Sequence, residues 1–206
     1  MGKYAMAIDL ARCNGCNACV VACKVEHSGA SNVLLTTILE KETGRYPNAS
    51  RQFFPVLCNH CEVPPCVPVC PTTATYKRDD GIVLVDPDIC IGCGACILAC
   101  PYEQRFAVDD DRTCFPSGDG SYVNPGAHKA PVGTTVKCDF CFHRVDQGRD
   151  PACVETCPTH ARIFGRLGQV DHPINELISR ASAFTLLPNI GTQPNVYYIQ
   201  DERCGR

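Results

Sequence analysis

Cysteine spacing constrains this 206-residue chain more than any other feature, because sixteen of its eighteen cysteines form four sets of four. The first and third sets have the spacing C-x2-C-x2-C-x3-C, and the second and fourth lengthen the middle gap to four and eleven residues. That first spacing is the run with which bacterial ferredoxins bind cubane iron–sulfur clusters. In chain order the sets are Cys13, Cys16, Cys19 and Cys23; Cys58, Cys61, Cys66 and Cys70; Cys90, Cys93, Cys96 and Cys100; and Cys138, Cys141, Cys153 and Cys157.

The spacing matches the geometry of a cubane, which needs four thiolates at the corners of a small tetrahedron. Two-residue gaps let one tight loop supply three of them, and Gly15, Gly92 and Gly94 allow the backbone to approach closely. In two-cluster ferredoxins the fourth cysteine of each run ligates the other cluster. We expect a short helix to begin there, because proline follows the C-x3-C ending of sets two to four and favours the first helical position.

Other uses of cysteine fit less well. A disulfide-stapled secreted scaffold rarely repeats one four-cysteine spacing, and the start MGKYAMAIDL lacks the features of a signal peptide. Structural zinc uses paired C-x2-C clips, which the fourth set approaches, but that set ends in C-x3-C-P like the others. Loss or alteration of one of the four clusters stays open.

Charge and hydropathy exclude other classes. The net charge is −3 without a basic tract, so nothing indicates a nucleic-acid partner. No apolar run approaches the roughly 18 residues that predict a transmembrane helix. If the chain works at a membrane, we expect other subunits to hold it there.

The chain contains an internal repeat. CNGCNACVVAC (13–23) and CIGCGACILAC (90–100) are identical at seven of eleven positions, and CPTTA (70–74) matches CPTHA (157–161). Sets one and three are therefore alike, as are sets two and four. We expect two copies of a two-cluster unit, with sets two and three forming one copy inserted between sets one and four.

This organisation predicts an α+β fold of two ferredoxin-like units, one inserted in the other, with long loops and a C-terminal extension. The predicted parts are 1–35 with 134–167, the inserted unit 50–108, a surface loop 109–133 within the aperiodic stretch 109–136, and a partner-docking extension 168–206. Residues 24–51 are expected to link the units, with a turn at 44–47. Predicted strands are Lys3–Asp9, Gln52–Leu57, Thr75–Arg78, Ile82–Asp86 and Ile163–Leu167, with a hairpin turn at 79–81 and a helix over Ile174–Ala183. The extended stretch 186–199 is too apolar for solvent, so we expect it to lie across the domain or against a partner.

Long motifs connect the chain with a known family. YAMAIDL, LCNHCEVPPCVPVCPT, DGIVLVDPDICIGCGACILACPY, KCDFCFHRVDQGRDPACVETCPTHAR and GTQPNVYYI cover most of its length. Together they resemble the iron–sulfur subunits of the dimethyl sulfoxide reductase family of molybdopterin oxidoreductases. YAMAIDL and PPCVPVCPT resemble the polysulfide, tetrathionate and thiosulfate reductase branch most.

The resemblance implies four [4Fe-4S] clusters with crossed ligation, since all sixteen positions are present. The implied ligands are Cys13, Cys16, Cys19 and Cys157 for cluster 1; Cys23, Cys138, Cys141 and Cys153 for cluster 2; Cys58, Cys61, Cys66 and Cys100 for cluster 3; and Cys70, Cys90, Cys93 and Cys96 for cluster 4.

The resemblance also implies partners. A large molybdenum or tungsten bis-pterin subunit carries out the chemistry, and a membrane subunit often exchanges electrons with quinone. The chain itself is then a non-catalytic electron carrier without a substrate pocket. Family members without an export signal can cross the membrane folded with a partner bearing a twin-arginine signal, while others stay in the cytoplasm. We favour the outer face over the cytoplasm. The alternatives are a soluble four-cluster carrier serving a hydrogenase or formate dehydrogenase, and a structural zinc or interaction module.

A few residues outside this scheme invite interpretation. Cys114 and Cys204 lie outside every set, and we expect free thiols or packing residues. His60 lies inside a complete set, so we do not expect it to be a ligand. Tyr197 and Tyr198 are expected in the core or at an interface.

Three charged residues lie close to the sets. Lys24 replaces the proline that follows the other final cysteines, and either raises a cluster potential or is simply solvated. His143 and Arg144 are expected either to hydrogen-bond near a cluster or to face a partner.

Overall fold

The computed structural model describes residues 2–27, 32–110, 130–169, 172–179 and 183–200, and they form a mixed arrangement of short helices and small sheets. The helices are α1 Ala18–His27, α2 Ala95–Leu98, α3 Phe142–Val145, α4 Ala152–Glu155 and α5 Pro173–Ser179, with a 3-10 turn at Pro188–Ile190. The strands are β1 Tyr4–Asp9, β2 Thr36–Thr43, β3 Ser50–Leu57, β4 Thr75–Lys77, β5 Val83–Val85, β6 Phe106–Ala107, β7 Thr135–Val136, β8 Arg162–Arg166, β9 Ala183–Phe184 and β10 Val196–Ile199. Within these residues no helix has the length and apolar character needed to cross a membrane.

The largest sheet has the order β8-β1-β10-β9 and brings both ends of the described chain together. Its central strand β1 runs antiparallel to β8 and parallel to β10. Side chains alternate between its faces, so Met6 and Ile8 join the main core while Ala5 and Ala7 lie with Ile174 of α5. The strands predicted at 3–9 and 163–167 are thus confirmed within one residue.

A long hairpin, formed by β2 and β3, begins within residues 24–51, which are expected only to link the two units. β2 pairs antiparallel with β3, from Thr36 opposite Leu57 to Thr43 opposite Ser50. The strand predicted at 52–57 is confirmed, but β2 is a correction to the link over 24–51. Its sequence TTILEKET mixes apolar and charged residues, because only its start near Thr36 is buried and the rest lies in solvent. The predicted turn at 44–47 connects the two strands.

The predicted hairpin after set two is confirmed. β4 and β5 pair antiparallel, with Thr75 opposite Val85. Gly81 in the turn has a φ of 88°, a value that glycine adopts without strain. Each strand is shorter than predicted by one or two residues.

The helices expected after the final cysteines are wrong in position. α2 and α4 lie before Cys100 and Cys157, Cys23 lies inside α1, and only turns follow the final cysteines of sets two, three and four. The close-spaced cysteines of each run need a helical turn between the third and the fourth thiol. The proline then ends that turn instead of starting one, since it cannot continue a helix with full hydrogen bonding.

The stretch after set four also differs in part. Helix α5 begins at Pro173 instead of Ile174, and Ala183 lies in β9 and not in the helix. The stretch 186–199 lies across the domain, because β10 is paired with β1 and β9. The docking role expected for 168–206 stays a prediction.

The aperiodic stretch 109–136 is described only at its ends. The sequence predicts no regular structure for its last residues, and this is wrong, because they contain strand β7, in which Thr135 pairs with Ala107 of β6. Most of the predicted surface loop, including Cys114, lies outside the described residues, as does Cys204.

Candidate metal centres

All sixteen cysteines of the four sets lie in the described part of the chain as free thiols, and eight of them are buried. This disagrees with a disulfide-stapled scaffold. Burial raises the pKa of seven of these thiols, and the charges of nearby thiols raise it further. The charges that act on these sulfurs therefore identify their neighbours.

The last cysteines of set one and set four lie near thiols of the other set. Burial, and then the charges of Cys138, Cys153 and Cys141, raise the pKa of Cys23. Conversely, burial and the charges of Cys157 and Cys16 raise the pKa of Cys13. The last cysteine of each set therefore has neighbours in the other set.

Set two has a similar relationship with set three. Burial, and then Cys58, Cys66 and Cys100, raise the pKa of Cys61 to about 12, against a hydrogen bond from Thr192. Cys100 is the last cysteine of set three. The four thiols of the reciprocal group line one small cleft: Cys70, Cys90, Cys93 and Cys96.

The thiol groups also adjoin one another. Burial and the charge of Asp139 raise the pKa of Cys138 most, and the charges of Cys153 and Cys58 raise it further. Because Cys58 belongs to set two, set four lies next to set two. Cys19 of set one has Cys153 as its first thiol neighbour. In each case one cysteine of a group lies close enough to one cysteine of the neighbouring group for their charges to interact.

Two sulfurs are held by hydrogen-bond donors. The N–H of Thr75 points at Sγ of Cys70 at 3.4 Å, and the N–H of Ala161 points at Sγ of Cys157 at 3.3 Å. Burial raises the pKa of these two thiols, but the hydrogen bonds outweigh it and the pKa of each is lowered. Hydrogen-bond donors that stabilise the thiolate are consistent with a role of these two cysteines as metal ligands, because the thiolate is the form that binds metal.

Two glycines inside the cysteine runs are required because the backbone there packs against other parts of the chain, and not only because it approaches a cluster. Gly92 has a φ of 63°, and a Cβ there would lie 1.9 Å from the carbonyl oxygen of Gly133. At Gly15, with a φ of 72°, a Cβ would lie 2.3 Å from the ring of Phe53. Both residues therefore pack against other parts of the chain in a conformation that favours glycine.

Two buried arginines beside the thiols are absent from the sequence-based prediction. Arg105 and Arg162 are each 3% exposed. Nη2 of Arg105 donates to Sγ of Cys66 at 3.0 Å, and Nη2 of Arg162 donates to Oγ1 of Thr36 at 2.9 Å. A signal did exist, because each arginine stands five residues after the last cysteine of its set.

His60 has a structural role. It is fully buried, and its Nδ1 accepts a hydrogen bond from the N–H of Val83 at 3.0 Å. Burial, and then the charge of Lys137, lower its pKa well below the usual range, so the imidazole is neutral. A different histidine approaches a set cysteine: Nε2 of His27 is 3.5 Å from Sγ of Cys141, and with Asp139 these residues could hold a metal ion.

The charged residues near set four and set one are held by other parts of the chain. Glu26 of α1 accepts from Nε2 of His143 at 2.7 Å and from Nη1 of Arg144 at 3.0 Å. Arg144 is buried and also reaches Glu155, so it holds α1, α3 and α4 together instead of facing a partner. Nζ of Lys24 donates to the carbonyl oxygen of Val33 at 2.6 Å, so simple solvation does not describe it.

The two tyrosines of β10 belong to the core, as predicted. Tyr198 is fully buried, and its hydroxyl donates to the carbonyl oxygen of Pro55 at 3.0 Å. Tyr197 packs on the other face of the sheet.

One larger cavity, about 580 Å³, borders Cys23 and Lys24. Val108 and Ala130 also line it, and they flank the stretch 111–129 that lies outside the described residues. The expectation that the chain has no substrate pocket therefore stays a prediction.

Comparison with protein families agrees with the cysteine pattern. A 4Fe-4S dicluster domain matches residues 49–115 and 124–167, and a 4Fe-4S binding domain matches residues 10–26. The matches contain all four sets in full. The chain thus has domains that bind [4Fe-4S] clusters.

Relatives extend the match over nearly the full chain. A Halobacterium salinarum protein, provisionally named as an iron–sulfur subunit of dimethyl sulfoxide reductase, is 39% identical over 98% of this chain and 80% of its own. A tetrathionate reductase subunit of Salmonella typhimurium is 38% identical, over 96% of this chain and 72% of its own. The iron–sulfur cluster-binding subunit of menaquinone reductase of Nitratidesulfovibrio vulgaris is 37% identical, over 96% and 88%. The chain therefore belongs to the iron–sulfur subunits of the dimethyl sulfoxide reductase family of molybdopterin oxidoreductases.

Proposed function

We propose that this chain relays electrons through four [4Fe-4S] clusters, between a molybdenum or tungsten bis-pterin catalytic subunit and a quinone-reactive membrane subunit or other redox partner. The observation that carries the proposal is that the last cysteines of sets one and four lie near thiols of the other set, as expected if the two sets exchange them. Cys23 lies among the thiols of set four, and Cys157 lies beside Cys13. That exchange is the pattern of two-cluster ferredoxins, in which each run lends its fourth cysteine to the other cluster.

The proposed ligand sets are the four crossed ones that the resemblance implies. The neighbours of Cys23, Cys13 and Cys61 support clusters 1 to 3, and the shared cleft of Cys70, Cys90, Cys93 and Cys96 supports cluster 4. Residues 1–35 with 134–167 would then hold clusters 1 and 2, and the inserted unit 50–108 would hold clusters 3 and 4.

The adjoining thiol groups support a continuous path. We number each group of four thiols after the cluster that it is proposed to bind. Group 1 adjoins group 2 where Cys19 is near Cys153, and group 2 adjoins group 3 where Cys138 is near Cys58. Arg105 lies between groups 3 and 4, since the charges of Cys66 and Cys96 both act on it. The order 1-2-3-4 follows, with the outer groups available to two different partners.

The residues present fit the clusters. Each bound cluster would supply one-electron chemistry, while the chain provides thiolate ligands and the N–H groups of Thr75 and Ala161 that favour thiolate. The cysteines are committed to ligation, so catalysis belongs to the partner. We therefore propose that the chain is not an enzyme by itself.

The partners account for membrane association. A relative is named as a subunit of menaquinone reductase, which supports a quinone-linked partner. We propose that this chain is held at the membrane by such a subunit, on the outer face after co-export with the catalytic subunit. The extension 168–206 is the segment proposed to dock a partner.

The test is anaerobic purification from the native host with a tag on this chain, followed by metal analysis and identification of subunits. We expect about 16 irons per chain, as four cubanes require, together with a large molybdenum- or tungsten-containing subunit. A Cys114→Ser variant, altered outside every set, is the control and should retain the full iron content. Iron-loaded chain that purifies alone or with a hydrogenase would replace the proposed complex with the free-carrier function.

A further inference from the structure

The two buried arginines occupy equivalent positions in the internal repeat. Set three continues as C-P-Y-E-Q-R and set four as C-P-T-H-A-R, so Arg105 and Arg162 each stand five residues after the last cysteine. In set two this position is Thr75. Each proposed two-cluster unit therefore contributes one such arginine.

Arg105 lies between the two thiol groups of the inserted unit. Its Nη2 donates to Sγ of Cys66, of group 3, at 3.0 Å, while its Nη1 donates to the buried hydroxyl of Thr75 at 3.1 Å. Burial lowers the pKa of Arg105, but the charges of Cys66, Cys58 and Cys96 outweigh this and raise it. Cys96 belongs to group 4, so the guanidinium faces sulfurs of both groups.

Arg162 is buried within reach of sulfurs from both groups of the other unit. The charges of Cys153 and Cys19, from groups 2 and 1, oppose the effect of burial and raise its pKa. Its Nη2 is held by the buried hydroxyl of Thr36, whose own proton goes to the carbonyl oxygen of Val56. Its Nη1 is buried and has no hydrogen-bond partner among the described residues.

A buried cation needs an anion, because burial without a partner costs several kcal/mol. The buried Arg144 has the carboxylates of Glu26 and Glu155. For Arg105 and Arg162 the structure provides cysteine sulfurs and threonine hydroxyls instead. The buried Nη1 of Arg162 likewise calls for an acceptor, which thiolate-ligated clusters would supply.

We propose that Arg105 and Arg162 are equivalent cationic bridges, each placed between the two clusters of its unit, that raise the reduction potentials of both. A permanent positive charge stabilises the reduced cluster more, because reduction adds negative charge. Arginine suits this role because its guanidinium stays protonated and donates in several directions. The proposal rests on the four-cluster function above and deepens it, since it pairs the clusters by the arginine they share.

The test is a potentiometric titration of the anaerobic holo-complex, followed by electron paramagnetic resonance, on Arg105→Gln and Arg162→Gln. We expect each variant to shift two of the four potentials to lower values, by at least tenfold in the reduction equilibrium, or 59 mV for a one-electron couple. The pair that moves should differ between the variants. Arg51→Gln, which removes the same charge from the exposed end of β3, should leave all four within twofold.

The possible results distinguish the proposal about the two arginines from the proposal that the chain relays electrons. If Arg105→Gln retains four clusters and none or only one of their potentials moves, the bridge is overturned. The electron relay is then unaffected. Fewer than four clusters in the unaltered protein overturn the relay itself. If a glutamine variant loses iron, Arg105→Lys and Arg162→Lys decide, because they keep the charge: iron and potentials near the unaltered values support the bridge, and a persisting defect contradicts it.

Discussion

His60 and Phe140 stack face to face, with ring centroids 3.7 Å apart and planes inclined by 20°. Each is the third residue of an opening C-x2-C, in set two and in set four, and each has a positive φ, 41° and 56°. The opening loops of sets two and four therefore meet in the buried interior. The same contact brings Cys58 close to Cys138, which is where the proposed path crosses from one unit to the other.

We expect Phe140→Ala to weaken the contact between the units. Phe140 is 1% exposed and also packs edge-on against Phe164, so its removal leaves a cavity that costs about 3–5 kcal/mol. For a chain of this size that corresponds to about 6–20 °C in the apparent melting temperature of the iron-loaded protein. Phe184→Ala, at a partly exposed ring, is the control and should change it much less. Equal shifts in both variants would contradict a central role for the stack.

An ion pair also joins the two proposed units, but we expect it to contribute little. Arg78, after β4, donates to both carboxylate oxygens of Asp146, at 3.0 and 2.7 Å. The side chain of Asp146 is 48% exposed, so solvent screening limits the pair to about 1 kcal/mol or less. A double-mutant cycle with Arg78→Gln and Asp146→Asn measures this coupling, and a value well above 2 kcal/mol would contradict it.

The coupling should not depend on pH near neutrality. The hydrogen bond from Arg78 lowers the pKa of Asp146 below its ordinary 3.8, against a smaller effect of burial. The contribution is therefore complete above that ordinary pKa and is lost only as pH falls through the still lower value in the folded state. Repeating the cycle between about pH 5 and 8 should give the same coupling within error. A coupling that declines as pH is lowered across this range would be inconsistent with the pair.

Crossed ligation predicts which cysteine variants resemble one another. Cys157→Ala and Cys13→Ala should remove the same spectroscopic signal, although they lie in different sets, because both thiols belong to proposed cluster 1. Cys153→Ala, only four residues from Cys157, should remove a different signal, that of cluster 2. Electron paramagnetic resonance of the reduced variants distinguishes them. Identical spectra for Cys153→Ala and Cys157→Ala would show instead that set four binds one cluster alone.

Removal of iron should unfold much of the chain. Burial, with Asp139 and neighbouring thiols, raises the pKa of Cys138 and Cys141, so the metal-free thiols would be neutral and unbridged in the interior. Metal-binding energy in such sites is folding energy. We expect anaerobic chelation to abolish most of the far-ultraviolet circular dichroism, and reconstitution with iron and sulfide to restore it. A native spectrum in the iron-free protein would contradict this.

The sequence predicts much of the fold where a local pattern carries the information. The alternation in YAMAID predicts β1, and Asp79, Asp80 and Gly81 predict the hairpin of β4 and β5, because each signal lies within a few residues. β2 has no such signal, since its solvent-facing half alternates weakly and its structure comes from pairing with β3. The place of β10 beside β1 depends on a contact between distant parts of the chain, which no local pattern contains.

The candidate site shows the same division. The repeated motif gives the cysteines, because metal ligation fixes their spacing. Arg105 and Arg162 are harder to predict, since exposed arginines are common and only the folded chain shows that these two are buried beside sulfur. Lys137 is similar: its buried ammonium donates to the carbonyl oxygens of Val83 and Cys138, and nothing in its local sequence distinguishes it from a surface lysine.

The number and type of clusters test the central claim most directly. Mössbauer spectroscopy and iron quantification of the anaerobically purified chain, enriched in ⁵⁷Fe, give both in one sample. The relay through four clusters predicts about 16 irons per chain, all in [4Fe-4S] clusters that accept electrons on reduction. Zinc in place of iron, or iron for only two clusters in chemically intact protein, would contradict it.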